Sequence, residues 1–188
     1  MKKMSYIFCL FLFQVKRIRR KFTTSFYSAY YSKKIINCGD GLRINGDISL
    51  TGLNGIIIGR NIHIGSNAFI RGEGGLTIED NTHISRNLTL YTINHNYEGE
   101  CLPYDNSFRS KQVFIGRNVW IGMNVTILPG SHIEEGCIIG AGCVIHGNIP
   151  KFSIVGAAPY HFLKKRNIEH YTKLDNAKLY GGVDGKAL

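Results

Sequence analysis

Acidic residues are missing from the start of this 188-residue sequence, and its first carboxylate is Asp40. Residues 1–36 carry nine Lys or Arg, whereas the remainder carries 14 basic and 13 acidic side chains. The formal net charge of +10 therefore belongs almost entirely to the N-terminal segment. Because the remainder is nearly neutral, a phosphate-binding surface that extends over the whole body, as in a nucleic-acid-binding domain, is excluded.

Paired cysteines and proline-rich stretches are missing too. The five cysteines are odd in number and none forms a Cys-x-x-Cys motif, which excludes a disulfide framework and a zinc ribbon. This fits a reducing compartment, and we expect a cytoplasmic protein. With only four prolines the chain is no Pro-rich linker, and its hydrophobic content of 44% is enough for the core of one domain.

A long apolar run is also absent. The apolar stretch Met4–Phe13 is too short to span a membrane, which takes about 20 residues. The basic block at residues 14–21 and the absence of a small-x-small cleavage site argue against export. We expect residues 1–37 to be a helical segment with one of two roles. It packs its apolar face on the body or a neighbouring subunit, or it makes a peripheral contact with the inner face of the membrane.

What the sequence does contain is a six-residue repeat. Aliphatic residues recur at Ile58, Ile64, Ile70, Ile78, Ile84, Leu90, Ile115, Ile121, Ile127, Ile133, Ile139 and Ile145. A period of six fits neither a helix nor a simple strand. It predicts a short strand followed by a tight corner, three times per turn of a triangular coil, with each aliphatic residue stacked on its equivalent 18 residues later. Glycine often follows the aliphatic residue, where φ is positive or a Cβ would crowd the corner.

The repeat also predicts the domain limits. Four blocks of 18 residues follow from it, at 58–75, 78–95, 115–132 and 133–150, with a weaker coil at roughly 38–57. We expect a domain at 38–160, with a loop at about 93–112 extruded from it. Residues 161–188 are expected to form a helix over Lys164–Leu179, covering the open coil end, and a tail.

The late hexads carry a family resemblance. Residues 115–126, Ile127–Gly130, Ile139–Gly142 and Val155–Pro159 resemble the hexapeptide-repeat acyltransferases, and the sugar O-acetyltransferase branch in particular. The similarity covers about residues 56–166. It implies an all-β fold, a left-handed parallel β-helix, here with an N-terminal helical segment and a short C-terminal helix. It further implies homotrimers with active sites between subunits and acetyl-CoA as cosubstrate, with no metal.

The one long break in the repeat, between Leu90 and Ile115, is the candidate active-site loop. Loops extruded from rigid scaffolds favour binding and catalysis, and neutral imidazole suits a general base near neutral pH. The resemblance implies that His95, at the loop exit before the signature Asn118–Gly122, is the catalytic base. Loop side chains that suit sugar contacts are Asn94, Tyr97, Tyr104, Asp105 and Arg109.

Trp120 has two interpretations. It is a surface aromatic at a coil corner or subunit contact, or, as the resemblance implies, an active-site wall against donor or acceptor opposite His95. The resemblance also places the CoA-binding residues late in the chain, at Met123, Ala141, Gly142, His146, Ala157, His161, Lys164 and Lys165. The other histidines, His63, His83, His132 and His170, are expected at the surface, with the first three at coil corners. Cys137 and Cys143 occupy inward positions and are expected to be buried structural thiols.

Several functions remain open. We expect O-acetylation of a cell-surface polysaccharide, such as capsule or O-antigen, or of its precursor. The alternatives are an antibiotic-modifying acetyltransferase of the chloramphenicol or streptogramin type and a non-catalytic β-helix assembly module. A zinc carbonic anhydrase of this architecture needs three converging histidines, which the spacings do not provide.

Overall fold

The computed structural model describes residues 2–96, 104, 106–156, 161–165 and 167–179. Helix α1 (Lys2–Lys34) is followed by six coils of short strands and then by helix α2 (Ile168–Asn176). The first three coils contain β1 (Asn37–Cys38), β2 (Arg43–Ile44), β3 (Ser49–Thr51), β4 (Ile56–Ile58), β5 (His63–Ile64), β6 (Phe69–Arg71), β7 (Leu76–Ile78), β8 (His83–Ile84) and β9 (Thr89–Tyr91). A hairpin of β10 (Ile93–His95) and β11 (Phe108–Ser110) comes next. The remaining coils contain β12 (Val113–Ile115), β13 (Trp120–Ile121), β14 (Thr126–Ile127), β15 (His132–Ile133), β16 (Ile138–Ile139), β17 (Val144–Ile145), β18 (Asn148–Ile149), β19 (Ser153–Gly156) and the edge strand β20 (His161–Lys165).

The coils stack into a parallel β-solenoid with three sheets. Sheet A has the order β1-β4-β7-β12-β15-β18, sheet B β2-β5-β8-β13-β16-β19-β20, and sheet C β3-β6-β9-β14-β17. All neighbours pair in parallel except β19 and β20, which are antiparallel. The predicted β-helix and the weak first coil are thus confirmed.

The register confirms the repeat and shows where it stretches. Ile115 pairs with Ile133, which is 18 residues later, as predicted. Ile58 pairs with Ile78, a step of 20, because the Gly-rich run at 71–75 adds two residues to the coil. The inward aliphatic side chains are fully buried in one continuous core, and so are the thiols of Cys137 and Cys143, as predicted.

The glycines that directly follow a core aliphatic residue are needed for space rather than for a left-handed backbone. A Cβ on Gly65 would lie 2.4 Å from the backbone nitrogen of Arg86 in the next coil. Positive φ falls two residues later, at Asn67 (φ 57°) and at the equivalent Asn118 (φ 58°). The corner therefore needs a missing side chain at one position and a residue tolerant of the left-handed region, often Asn, at another.

Helix α1 docks on the solenoid by its C-terminal half. Tyr31, in the last turns of the helix, and Ile35, just after its end, are buried in the core. The backbone N–H of Ile44 donates to Ser28 Oγ at 2.9 Å. The N-terminal part of the helix, from Phe8 to Phe22, carries exposed apolar side chains. Within the described residues, no helix is both long and apolar enough to cross a membrane.

Helix α2 begins later than predicted, because Lys164 and Lys165 extend sheet B as part of β20. It packs along the side of the last three coils through a polar cluster. Tyr171 donates to Glu135 (3.0 Å) and accepts from Asn118 (2.7 Å), while Arg117 bridges Glu135 and Asp175. Burial raises the pKa of Tyr171 to about 12, and the acceptor Glu135 adds to the shift. The domain limits given above stay a prediction.

Candidate active site

His95 ends β10 in the hairpin that interrupts the solenoid. Its cross-strand partner is Phe108 on β11. The imidazole stacks on Tyr104, with ring centroids 4.0 Å apart and planes 19° from parallel, and its centroid lies 4.9 Å from that of Phe108. Two aromatic rings thus hold the imidazole in place. Nδ1 of His95 is buried and, within the described residues, has no hydrogen-bond partner.

The base of the hairpin is tied to the coil beneath it. Thr92 is fully buried, and its hydroxyl donates to the carbonyl of Arg71 at 2.7 Å and accepts from the N–H of Gly74 at 2.8 Å. A Cβ on Gly74 would lie 2.2 Å from the carbonyl oxygen of Thr92. The strand that presents His95 therefore leaves the solenoid at a fixed point.

Of the predicted acceptor residues that the structure describes, Asn94, Tyr104 and Arg109 belong to the hairpin region, and Trp120 lies in the solenoid. Asn94 accepts from the backbone N–H of His95 at 2.9 Å, and Arg109 donates through Nε to Asn96 Oδ1 at 2.8 Å, so both help to shape the hairpin. Tyr104 is the stacking partner of His95. Tyr97 and Asp105 lie outside the described residues.

Trp120 is not at a corner but in β13 of sheet B, where its side chain is 55% exposed. The hairpin that bears His95 leaves the solenoid directly after β9, which belongs to sheet C. Within one chain the structure therefore places the two residues on different faces of the solenoid and does not bring them into contact.

The predicted donor residues that the structure describes lie in three places. Met123 lies at the corner that follows Trp120, and the N–H of Gly142 donates to its carbonyl at 3.0 Å, so Ala141 and Gly142 stack below it. His146 directly follows β17, at the corner where the chain leaves sheet C. Lys164 and Lys165 lie on β20, opposite Ile154 and Ser153. Ala157 and the side chain of His161 lie outside what the structure describes.

An open cleft of about 840 Å³, which the sequence does not predict, lies between α1 and sheet B. Trp120 lines it together with His63 and His83, which are partly buried in β5 and β8 rather than exposed at corners. His132 likewise lies within a strand, β15 of sheet A, and is exposed. All three histidines directly precede a core isoleucine, as Trp120 does, and this shared hexad position is the signal that places them on strands.

The two cleft histidines contact each other. Their ring centroids are 5.5 Å apart at an interplanar angle of 83°, and His63 Nε2 lies 2.6 Å from Asn45 Nδ2. Burial lowers the pKa of His83, so its ring is neutral at pH 7.

Comparisons with known proteins agree with this geometry. Residues 112–147 match the model described as bacterial transferase hexapeptide (six repeats), and residues 55–92 match the hexapeptide repeat of succinyl-transferase. Both segments are stretches in which the core residues stack coil upon coil. These two segments of the chain therefore carry hexapeptide repeats. A search of curated protein sequences finds no significant match for this chain.

Solved structures with the same fold include acyltransferases. A hexapeptide-repeat acetyltransferase from Vibrio cholerae has 22% identity and a TM-score of 0.69, covering 81% of this chain and 88% of that chain. A variant of AntD, an N-acyltransferase from Bacillus cereus in complex with dTDP and coenzyme A, has 21% identity and a TM-score of 0.66, with coverage of 80% and 94%. A maltose O-acetyltransferase from Clostridium difficile 630 has 26% identity and a TM-score of 0.63, with 73% of each chain covered.

Proposed function

We propose that the protein is an acetyl-CoA-dependent O-acetyltransferase that acts on a sugar hydroxyl, with His95 as general base. The observation that carries the proposal is the placement of His95. Its ring is fixed by Tyr104 and Phe108 on a hairpin extruded from a hexapeptide-repeat solenoid. Structural neighbours are a maltose O-acetyltransferase and an N-acyltransferase in complex with coenzyme A and dTDP-4-amino-4,6-dideoxyglucose, which supports a sugar acceptor and an acyl-CoA donor.

The reaction is a direct transfer. His95 removes the proton from the sugar hydroxyl as its oxygen attacks the thioester carbonyl, and backbone N–H groups stabilise the oxyanion. The tetrahedral intermediate then expels the CoA thiolate, which takes the proton from the imidazolium. No acetyl group is attached to the enzyme, so this chain has to position two substrates at once.

The active site is completed by a second subunit. His95 and Trp120 lie on different faces of one chain, so they meet only if the hairpin of one protomer faces sheet B of its neighbour. The exposed apolar side chains of Trp120 and Met123 support such an interface, because an unpartnered apolar surface favours association. A homotrimer with three equivalent sites satisfies this requirement. Trp120, Met123, Ala141 and Gly142 would then contact the donor.

The acceptor in this proposal is a cell-surface polysaccharide or its precursor, reached at the inner face of the membrane. Helix α1 supports the membrane contact. Phe8, Phe11, Val15, Ile18 and Phe22 are exposed and recur every three or four residues, so they lie along one side of the helix. With a basic block in the same helix, this is the pattern of a helix that lies at an anionic lipid surface.

The test is release of CoA from acetyl-CoA with a panel of acceptors: galactosides, maltose, sialic-acid and capsular oligosaccharides, and chloramphenicol. His95→Ala should lower turnover at least about 100-fold, because a general base contributes that much or more. His132→Ala is the matched control, since His132 also stacks on an aromatic ring, Phe114, but on exposed sheet A. Equal activity in wild type and His95→Ala would contradict the mechanism, and turnover of chloramphenicol alone would favour an antibiotic-modifying enzyme.

A further inference from the structure

The cleft between α1 and sheet B carries a concentration of positive charge. Four of the described residues that line it are cationic, and none of them is acidic; the cations are Arg20, Lys21, Arg43 and Arg86. Arg20 and Lys21 come from α1, Arg43 from β2, and Arg86 from the corner after β8. Three separate parts of the fold therefore place cations in one space, within a body whose overall charge is nearly balanced.

These cations differ from arginines elsewhere in the solenoid. Arg60 is paired with Asp80, Arg71 with Glu73, and Arg117 with Glu135 and Asp175. Within the described part of the chain, no carboxylate lies within ion-pair distance of the four cleft cations. Nε of Arg43 is buried and has no hydrogen-bond partner there. A buried, unpaired guanidinium N–H is costly, so a ligand that accepts from it stabilises the site.

The position of the cleft relates it to the reacting groups. Arg43, His63, His83 and Trp120 are successive register partners across sheet B. With about 4.8 Å between neighbouring strands, Arg43 lies roughly 14 Å from Trp120 along the solenoid. Of the predicted donor residues, Met123 lies at the corner of the same coil as Trp120, and Ala141 and Gly142 lie one coil further toward the C-terminus, away from Arg43. A ligand in the cleft would thus approach Trp120 from the side opposite the donor.

We infer that this cleft binds a phosphate or diphosphate group of the acceptor, so that the enzyme acetylates a phosphorylated glycan rather than a neutral free sugar. The inference rests on the proposed function and names its substrate class. Arginine matches phosphate through paired N–H donors, and the hydroxyls of Ser66 and Ser85 and the neutral His83 add uncharged hydrogen-bonding groups for the sugar. The phosphates of CoA are the competing source of the same chemistry.

Binding to the full-length protein separates these two sources. The probes are inorganic pyrophosphate and acetyl-CoA, measured by titration calorimetry. We expect Arg43→Ala combined with Arg86→Ala to weaken pyrophosphate binding at least about 10-fold, and to leave acetyl-CoA affinity within about twofold. Arg43→Lys keeps the charge and should recover part of the loss. Failure of the wild type to bind pyrophosphate, or a parallel loss of acetyl-CoA affinity, would overturn the inference.

The contribution of the helix is tested with a matched pair. Arg20→Ala removes a cation that lines the cleft, whereas Arg19→Ala removes the neighbouring charge outside it. We expect only Arg20→Ala to weaken pyrophosphate binding. Equal weakening by both variants would indicate a diffuse field of the basic helix and would contradict a built site.

Turnover distinguishes a soluble from a lipid-linked acceptor. The same sugar is offered free, on a nucleoside diphosphate in solution, and on a polyprenyl diphosphate in detergent micelles. Preference for either phosphorylated form, lost in Arg43→Ala, supports the inference and identifies the carrier. Equal turnover of the free sugar, unaffected by Arg43→Ala, contradicts this inference alone. Failure of the wild type to bind acetyl-CoA would instead contradict the proposed function, and the inference with it.

Discussion

The imidazole of His95 and the phenol ring of Tyr104 lie face to face, 4.0 Å apart between centroids. An aromatic stack of this kind contributes about 0.5–1.5 kcal/mol, and here it orients the proposed base. We expect Tyr104→Ala to lower kcat/KM for acetyl transfer roughly 2- to 13-fold. Tyr104→Phe keeps the ring and should stay close to wild type. A Tyr104→Ala variant with unchanged kcat/KM would show that the stack does not matter for catalysis.

The tie at Thr92 gives a second prediction. Thr92→Val conserves volume but leaves the Gly74 N–H without its partner and removes one of the two hydrogen bonds that the Arg71 carbonyl accepts from Thr92. Leaving a buried group unpaired costs about 1–3 kcal/mol, so the free energy of unfolding measured in urea should fall by that amount. Thr92→Ser keeps the hydroxyl and is the control. Equal stability of the Val and Ser variants would mean that the hydroxyl does not fix the hairpin.

The corners give a third prediction. Gly65→Ala places a Cβ 2.4 Å from a backbone nitrogen of the next coil, which can move only if the coils separate. We expect a loss of about 1–3 kcal/mol in the free energy of unfolding, as for an overpacked core. Asn67→Gly, two residues later at φ 57°, relieves a left-handed residue and should change stability by less than about 1 kcal/mol. The reverse order of these two effects would contradict the assignment of corner roles.

Much of the solenoid follows from the sequence because its contacts are periodic. Each core isoleucine pairs with an equivalent one coil away, so a constant spacing predicts the register, as with Ile121 and Ile139. His95 is distinguished by the break in that spacing. The cleft is different. It depends on where α1 docks, through contacts such as that of Ser28 with Ile44, and these join segments that share no repeat.

The sequence does not predict how α2 packs on the solenoid either. Tyr171 contacts Glu135 and Asn118 across 36 and 53 residues, and no local pattern links them. The sequence showed a basic run at residues 164–166 and predicted a helix from there. In the structure the first two of these lysine and arginine residues are strand residues, because the unpaired edge of β19 offers backbone hydrogen bonds to them.

Because of the cluster around Tyr171, we expect the folded protein to lose stability as the pH becomes alkaline. Its pKa is raised to about 12 in the folded protein, chiefly by burial, against about 10 in the unfolded chain. The neutral phenol is therefore favoured by folding, and its contribution is complete below pH 10 and lost as the pH rises toward 12. We expect the thermal midpoint of wild type to fall more steeply over this range than that of Tyr171→Phe, which has no phenol to ionise. Because other tyrosines and lysines titrate over the same range in both proteins, the difference between the two curves is the measurement. Parallel curves would mean that Tyr171 ionises as readily in the folded chain as in the unfolded one, and that helix α2 does not shield it.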